Sequence, residues 1–363
     1  CRLGPSLTVA RDAGVAIAAL VEHDDPAPAA TLPWARPGLL RAHVLPRHLG
    51  LLSAAASEMG SPDVGQVLAE LPDGRDHLAR AAILSHAPTA RWAAHRIATM
   101  PVRPSYDIRL DVLGDMSLAR GDTLVSDRDW TNRERVRQLL AYLVLHRSVG
   151  RRSMAEALWP DLPSDRALGN LRVNLAHLQK VLQPGRETSD KAWFVRADAE
   201  KVALADDGVV VDATLFEAAC DRARALEGED RSSEALFEWH GAVDLYQGDF
   251  LEDWPDVEWS QVERFRLRTL AITARCRLGE LLLARGEPEE AARHASIVLG
   301  IEPIQERACR LLVHALTAQG DRATALRAMR DLSSQLVRQG LSLEPATARL
   351  ARSFGLTVLG EGT

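Results

Sequence analysis

The chain has 363 residues, 46% of them apolar and 26% charged, with a net charge of −6. That length and balance fit two or three folded domains and exclude large-scale disorder and an overall polycation. The four cysteines, Cys1, Cys220, Cys276 and Cys309, form no C-x-x-C and have no histidine at ligand spacing, so they read as reduced core residues of a cytoplasmic protein with no metal site.

Val15 to Val21 is too short for a secretion signal and runs straight into Glu22, His23, Asp24 and Asp25; no stretch is long enough to cross a membrane. The Asp24-Asp25 pair after an apolar run has the look of a phosphoacceptor receiver, but the lysine such a site needs is missing, the first in the chain being Lys180. Helical patterns follow at Leu39 to Glu58, Ser61 to Leu71, Asp76 to His86 and Ala90 to Met100, with Pro or Gly between them. His86 and His95 sit among apolar residues there and read as core histidines. A chain opening on Cys1 instead of Met suggests a piece of something longer.

Pro101 and Pro104 mark a linker. Beyond it Ile108, Leu110 and Val112 alternate with polar residues, Gly114 breaks the run, Met116 and Leu118 resume it, and Gly121-Asp122 turns into Thr123 to Val125. This spacing predicts a small antiparallel sheet. Three helices follow between Arg133 and Pro184. The first has an apolar face of Val136, Leu139, Leu140, Leu143 and Val144. The second is expected to open with Ser153 and Glu156 as a reciprocal capping pair, and the third to be capped by Ser164 or Asp165.

The third helix carries Leu168, Leu171, Leu175, Leu178 and Leu182 on one stripe, which must face a core. Its other side shows Arg166, Asn170, Val173, His177 and Lys180, and from Arg166 to Lys180 the helix has no acidic residue. From Trp130 to Arg186 there are ten Arg and Lys against four Asp and Glu; from Asp212 to Leu350 the ratio reverses, 17 against 24. One module suits a polyanion and its neighbour does not. Trp193 to Arg196 and Lys201 to Leu204 then predict a hairpin with a basic residue at each root, Arg196 and Lys201. Trp130, Trp159 and Trp193 read as core residues.

From Val211 onward the pattern is all helix with an internal repeat: Gly286 with Ala291 recurs 34 residues later as Gly320 with Ala325, and Asp230 with Ala235 is a looser earlier copy. Gly279, Ala291 and Pro303 occupy the small-residue and closing-proline positions of a tetratricopeptide (TPR) unit, and Leu245 to Trp259 interrupts the pattern as a buttress between helix pairs. Catalysis finds no foothold: there is no G-x-x-x-x-G-K, G-x-S-x-G or H-E-x-x-H, so neither an enzyme nor a cofactor is expected.

The segments Gln138-Leu139-Leu140-Ala141-Tyr142-Leu143, Leu158-Trp159-Pro160-Asp161, Asn170-Leu171-Arg172, Leu178 to Leu182, Tyr246-Gln247-Gly248-Asp249-Phe250 and Leu281 to Ala291 resemble those of the actinobacterial antibiotic-regulatory (SARP-type) activators. In that family a winged helix precedes a bacterial transcriptional activation domain (BTAD). The likeness covers about Asp107 to Phe354. It implies binding to promoter direct repeats and recruitment of RNA polymerase, with the turn Pro160, Asp161, Leu162, Pro163 and Ser164 near the polymerase. Two departures, Ala199 at the wing tip where glycine is common and Gln179 where arginine is frequent, bear on affinity and target more than on fold.

The expected fold is mainly α: a helical region of unknown role at 1–104, a response-regulator-type winged helix-turn-helix with small antiparallel sheet and wing at 105–208, and a TPR-like repeat domain at 209–356. The expected function is a sequence-specific transcriptional activator. Asn170, Val173, His177 and Lys180 would read base edges, with Val173 against a thymine methyl group. Arg151, Arg152, Arg166, Arg172, Arg196 and Lys201 would hold phosphates, although Arg172, at the edge of the apolar stripe, could serve a structural ion pair instead. Expected partners are double-stranded DNA and RNA polymerase, with self-association through the repeats and no membrane. The alternative is a TPR-like interaction scaffold whose winged helix no longer binds DNA.

Overall fold

A computed structural model of the chain describes residues 101–356 except 188 and 189, together with helix α1 (Ala87–Thr99) and residues 79, 82 and 83. The patterns at Leu39 to Glu58 and Ser61 to Leu71 lie outside the described residues, as does His86. Two units are distinguished: Cys1–Arg103 with Arg186–Trp193, and Pro104–Gly185 with Phe194–Thr363. In the first unit, α1 begins three residues before the predicted Ala90, because Pro88 is accepted in an opening turn. Ala93 is buried there, but His95 is exposed, so the expected core histidine is not one.

In the second unit, strands β1 (Ile108–Asp111), β2 (Ser117–Arg120) and β3 (Thr123–Leu124) form the predicted meander, with Ile108, Leu110, Val112 and Leu118 buried. The sheet is mixed, however, with order β3-β2-β1-β7. Strand β7 (Val209–Val211) pairs parallel with β1, Leu110 facing Val211. Three valines in a row show no alternation, and a partner a hundred residues upstream leaves no local signal. Helices α2 (Arg128–Thr131), α3 (Glu134–His146), α4 (Arg151–Leu158) and α5 (Ser164–Leu182) follow β3. Strand β4 (Ser148–Gly150), not foreseen, joins β6 (Lys201–Leu204) and β5 (Val195–Ala197) in a second sheet, order β4-β6-β5.

Strand β7 runs directly into α6 (Asp212–Gly228), and this junction fuses the two modules. Once β7 ends, the amides of Val112 and Leu113 have no strand carbonyl to meet. The buried carboxylate of Asp212 takes their place, accepting from both amides at 2.9 Å and from its neighbour Ala213 at 2.7 Å. Burial raises the carboxyl's pKa, while the three amides pull the other way.

The rest is a stack of antiparallel helices: α7 (Ser232–Leu245), α8 (Gln261–Ala284), α9 (Pro288–Ile301), α10 (Glu306–Ala318), α11 (Arg322–Arg338) and α12 (Pro345–Ser353). Gly286 and Gly320 adopt positive φ at the turns between paired helices, and Asp230 does the same at the looser copy, five residues before the fully buried Ala235. The repeat is therefore a repeat of backbone conformation as well as of residue type. Gly279 lets α10 approach α8: a Cβ there would lie 2.5 Å from Leu311. Cys220, Cys276 and Cys309 are buried free thiols, pushed up to about 12, 11 and 12 by desolvation.

The segment predicted to buttress one helix pair against the next also docks the winged helix onto the stack. Phe250 bridges to Leu113, the Gly114 amide donates to Asp249, and the Leu251 amide donates to Val112. Backbones touch here: a Cβ on Gly248 would fall 2.9 Å from Gly114 Cα. From α8, the buried Arg264 holds the loop by donating to the carbonyls of Phe250, Leu251, Trp254 and Pro255.

Asp212→Ala would strand two buried amides, so it is expected to cost about 2–4 kcal/mol, read as a lower urea midpoint, with Asp212→Asn milder. A second prediction concerns pH. His294 on α9 is 2% exposed, and burial, reinforced by Arg293 and Arg275, pushes its pKa down from 6.5 to about 4. The unfolded chain takes up this proton first, so the contribution is complete above pH 6.5 and is lost as pH falls toward 4. Urea titrations should show about 2 kcal/mol lost between pH 7 and pH 5, a loss that His294→Gln abolishes.

Candidate nucleic-acid interface

Helix α5 is set by its buried face. Leu171, Leu175, Leu178 and Leu182 are buried as predicted, but Ala167 and Val181 complete the stripe, while Leu168 is only half-buried. Its C-terminal carbonyls are held by the neighbouring sheet: Tyr106 donates to Leu182 at 2.8 Å and Arg120 to Val181 at 3.0 Å. Gln179 spends its amide on the Val195 carbonyl of the wing, 2.9 Å away, fixing hairpin against helix. Trp130 and Trp159 are buried core residues, as expected, and Trp193 is half-buried.

Both predicted caps fail. Helix α4 begins at Arg151 with Gly150 in the cap position, which places Ser153 inside the first turn and leaves no capping pair with Glu156. The reason is tertiary: strand β4 delivers the chain to Arg151, whose amide donates to Glu200 of the wing at 2.8 Å. Helix α5 starts at Ser164 behind Pro163, and neither Ser164 nor Asp165 makes a cap bond.

The opposite face of α5 is open. Arg166, Asn170, Arg172, Val173 and Lys180 are exposed, Val173 to 55%, and His177 is half-buried. The spacing thus brings together all four residues expected to read base edges. Arg172 makes no ion pair among the described residues, so it is not committed to the structural role that competed for it. Arg152 and Lys201 are also exposed, Arg196 is half-buried on β5, and Arg151 is half-buried with its guanidinium donating to the Asp198 carbonyl at 3.0 Å. Arg151 therefore braces the wing as well as facing solvent.

At the wing tip Asp198 accepts from the amides of Glu200 and Lys201, both at 2.7 Å, and these bonds hold its carboxyl below the usual range. This side-chain-closed turn leaves Ala199 outside the positive-φ region, which removes the need for glycine there. The turn between α4 and α5 exposes Pro160, Asp161, Leu162 and Pro163, while Ser164 is half-buried as the first residue of α5.

One residue was missed. The acid-free row does not stay acid-free in three dimensions, because α2 brings Asp129 against it. Its carboxylate lies 3.3 Å from His177 Nδ1, 3.3 Å from Lys180 Nζ and 2.9 Å from Arg133 Nε. The Arg133 bond, then those of Lys180 and His177, hold the Asp129 carboxyl below the usual range. Asp129 stands 51 positions before Lys180, so no spacing rule could have found it.

Residues 211–354 match the family described as the bacterial transcriptional activator domain. The chain is similar to regulatory protein AfsR of Streptomyces coelicolor, 29% identical over 245 residues, covering 66% of this chain and 23% of that protein. It is also similar to AfsR of Streptomyces griseus, 26% identical over 267 residues, covering 71% and 25%. The chain thus spans about a quarter of the length of the curated relatives it matches. Among solved structures, Mycobacterium tuberculosis EmbR in complex with a low affinity phosphopeptide shares the fold with a TM-score of 0.60 at 20% identity, covering 70% of this chain and 67% of that one. A winged helix fused through a shared sheet to a segment that matches the bacterial transcriptional activator domain makes this chain similar to these regulators over residues 211–354 in sequence and over most of its length in fold.

Proposed function

We propose that the chain is the DNA-binding and activation portion of a transcriptional activator that recruits RNA polymerase at promoter direct repeats. The observation that carries this reading is the largely exposed, basic α5 face beside a braced wing, with Arg152, Arg166, Arg172 and Lys201 exposed around it. On this reading Asn170, Val173, His177 and Lys180 address base edges in the major groove, and the surrounding cations, Arg151 and Arg196 included, fix the register on phosphates. The turn Pro160–Ser164 offers an exposed, proline-stiffened edge to the polymerase. The repeats supply a surface for self-association or for a partner segment. The domain limits proposed are 105–208 for the winged helix and 209–356 for the repeats, with 1–104 of unassigned role. No helix among the described residues is long and apolar enough to cross a membrane.

A second reading, a scaffold whose winged helix is a docking surface, is favoured by one feature only: the carboxylates of Asp129, Asp198 and Glu200 at the edges of the basic face.

Fluorescence anisotropy separates the two readings. The probes are a random-sequence 30-base-pair duplex pool and the sequence that the wild type enriches from that pool. An activator of this kind should show log affinity falling steeply with log salt. Lys201→Ala and Arg172→Ala should weaken binding to both probes and reduce the slope by about one each. His177→Ala should cost about 1–3 kcal/mol on the enriched sequence alone. Salt-independent affinity with no enriched sequence would establish the scaffold instead.

A further inference from the structure

We infer that Asp129 is an internal counter-charge to the recognition helix that suppresses binding to non-target DNA. The inference rests on the DNA-binding reading above and adds to it a residue that sets specificity without contacting the duplex. Three basic side chains converge on this carboxylate: His177 and Lys180 of α5, at 3.3 Å each, and Arg133, which precedes α3, at 2.9 Å. The contact is lopsided. The Asp129 side chain is 24% exposed and that of His177 28%, but that of Lys180 is 71% exposed, so the ammonium stays within reach of a phosphate or base while leaning on the acid.

A phosphate offered to this face therefore competes with a carboxylate already in place. Any duplex pays the loss of the Lys180 contact and meets the repulsion of one fixed negative charge. Only a sequence whose base edges bond to His177 and Asn170, with a thymine methyl group packed on Val173, recovers that loss. Asp129 is also placed to orient the imidazole: with its carboxylate against Nδ1, the other ring nitrogen, Nε2, is left for the groove. The same carboxylate thus lowers affinity for all sequences and sharpens the difference between them.

The test is Asp129→Asn, which keeps the size and one oxygen acceptor while removing the charge, beside Asp129→Ala, which removes both. The full chain is titrated with the random 30-base-pair pool and with the wild-type-enriched duplex, over a range of salt concentrations. Asp129→Asn should tighten binding to the pool by about 3- to 10-fold at low salt, steepen the salt slope by up to about one, and shrink the enriched-to-random ratio. Asp129→Ala should bind the pool as tightly and lose still more of the ratio, because the imidazole is no longer held. Thermal melting of both variants reports whether the fold is retained. If both variants melt as the wild type does and bind both probes within twofold of it, the counter-charge role is overturned while DNA binding stands. If the wild type binds neither probe, the DNA-binding reading fails and takes this inference with it.

Discussion

The structure depends on a buried carboxylate at the point where a strand becomes a helix. Asp212 completes the hydrogen bonding of β1 after β7 has ended, and it does so from the first residue of α6. An unpaired backbone amide inside a protein is costly, so the edge of the sheet and the start of the solenoid cannot be separated without stranding two of them. The winged helix is consequently not a bead on a flexible linker. Its central sheet is finished by the chain that begins the activator domain.

A second set of contacts makes this junction rigid. Gly248 lies so close to Gly114 that a Cβ on Gly248 would fall 2.9 Å from Gly114 Cα, and Gly114 itself holds a φ of +107° that favours glycine. Arg264 saturates four carbonyls of the intervening loop, and Arg137 of α3 pairs with Asp253 at 3.3 Å while stacking over Trp254. Tyr142 of the same helix meets Trp259 edge-on. These are directional contacts between elements that carry α5 and elements that carry the repeats. Whatever holds the solenoid therefore also constrains the orientation of α5 relative to it.

Within the stack, charge pairs connect every second helix, α6 to α8 and α8 to α10. Glu227 of α6 receives both Trp239 of α7 and Arg277 of α8, and Glu280 of α8 receives Arg277 and Arg307 of α10. The chain of partners runs through four helices. It accounts for part of the acidic excess of this half of the chain: several carboxylates are structural acceptors for arginines, not a surface offered to a cationic ligand.

The sequence was most informative where the signal is local and periodic. The meander Ile108 to Val125, the buried leucines of α5, and the Gly286/Gly320 turns follow from spacing alone, because one face of each element must be covered and one backbone turn demands positive φ. The polar row from Arg166 to Lys180 was legible for the same reason. What only the tertiary structure decided are partnerships across long separations. Strand β7 against β1, Arg151 capped by the wing instead of by Ser153, Asp212 under the sheet, and Asp129 on His177 and Lys180 all join residues whose spacing carries no period. Periodicity reports which side of an element is apolar. It says nothing of which polar group from elsewhere in the chain will be laid against the other side, since that is set by how the elements pack.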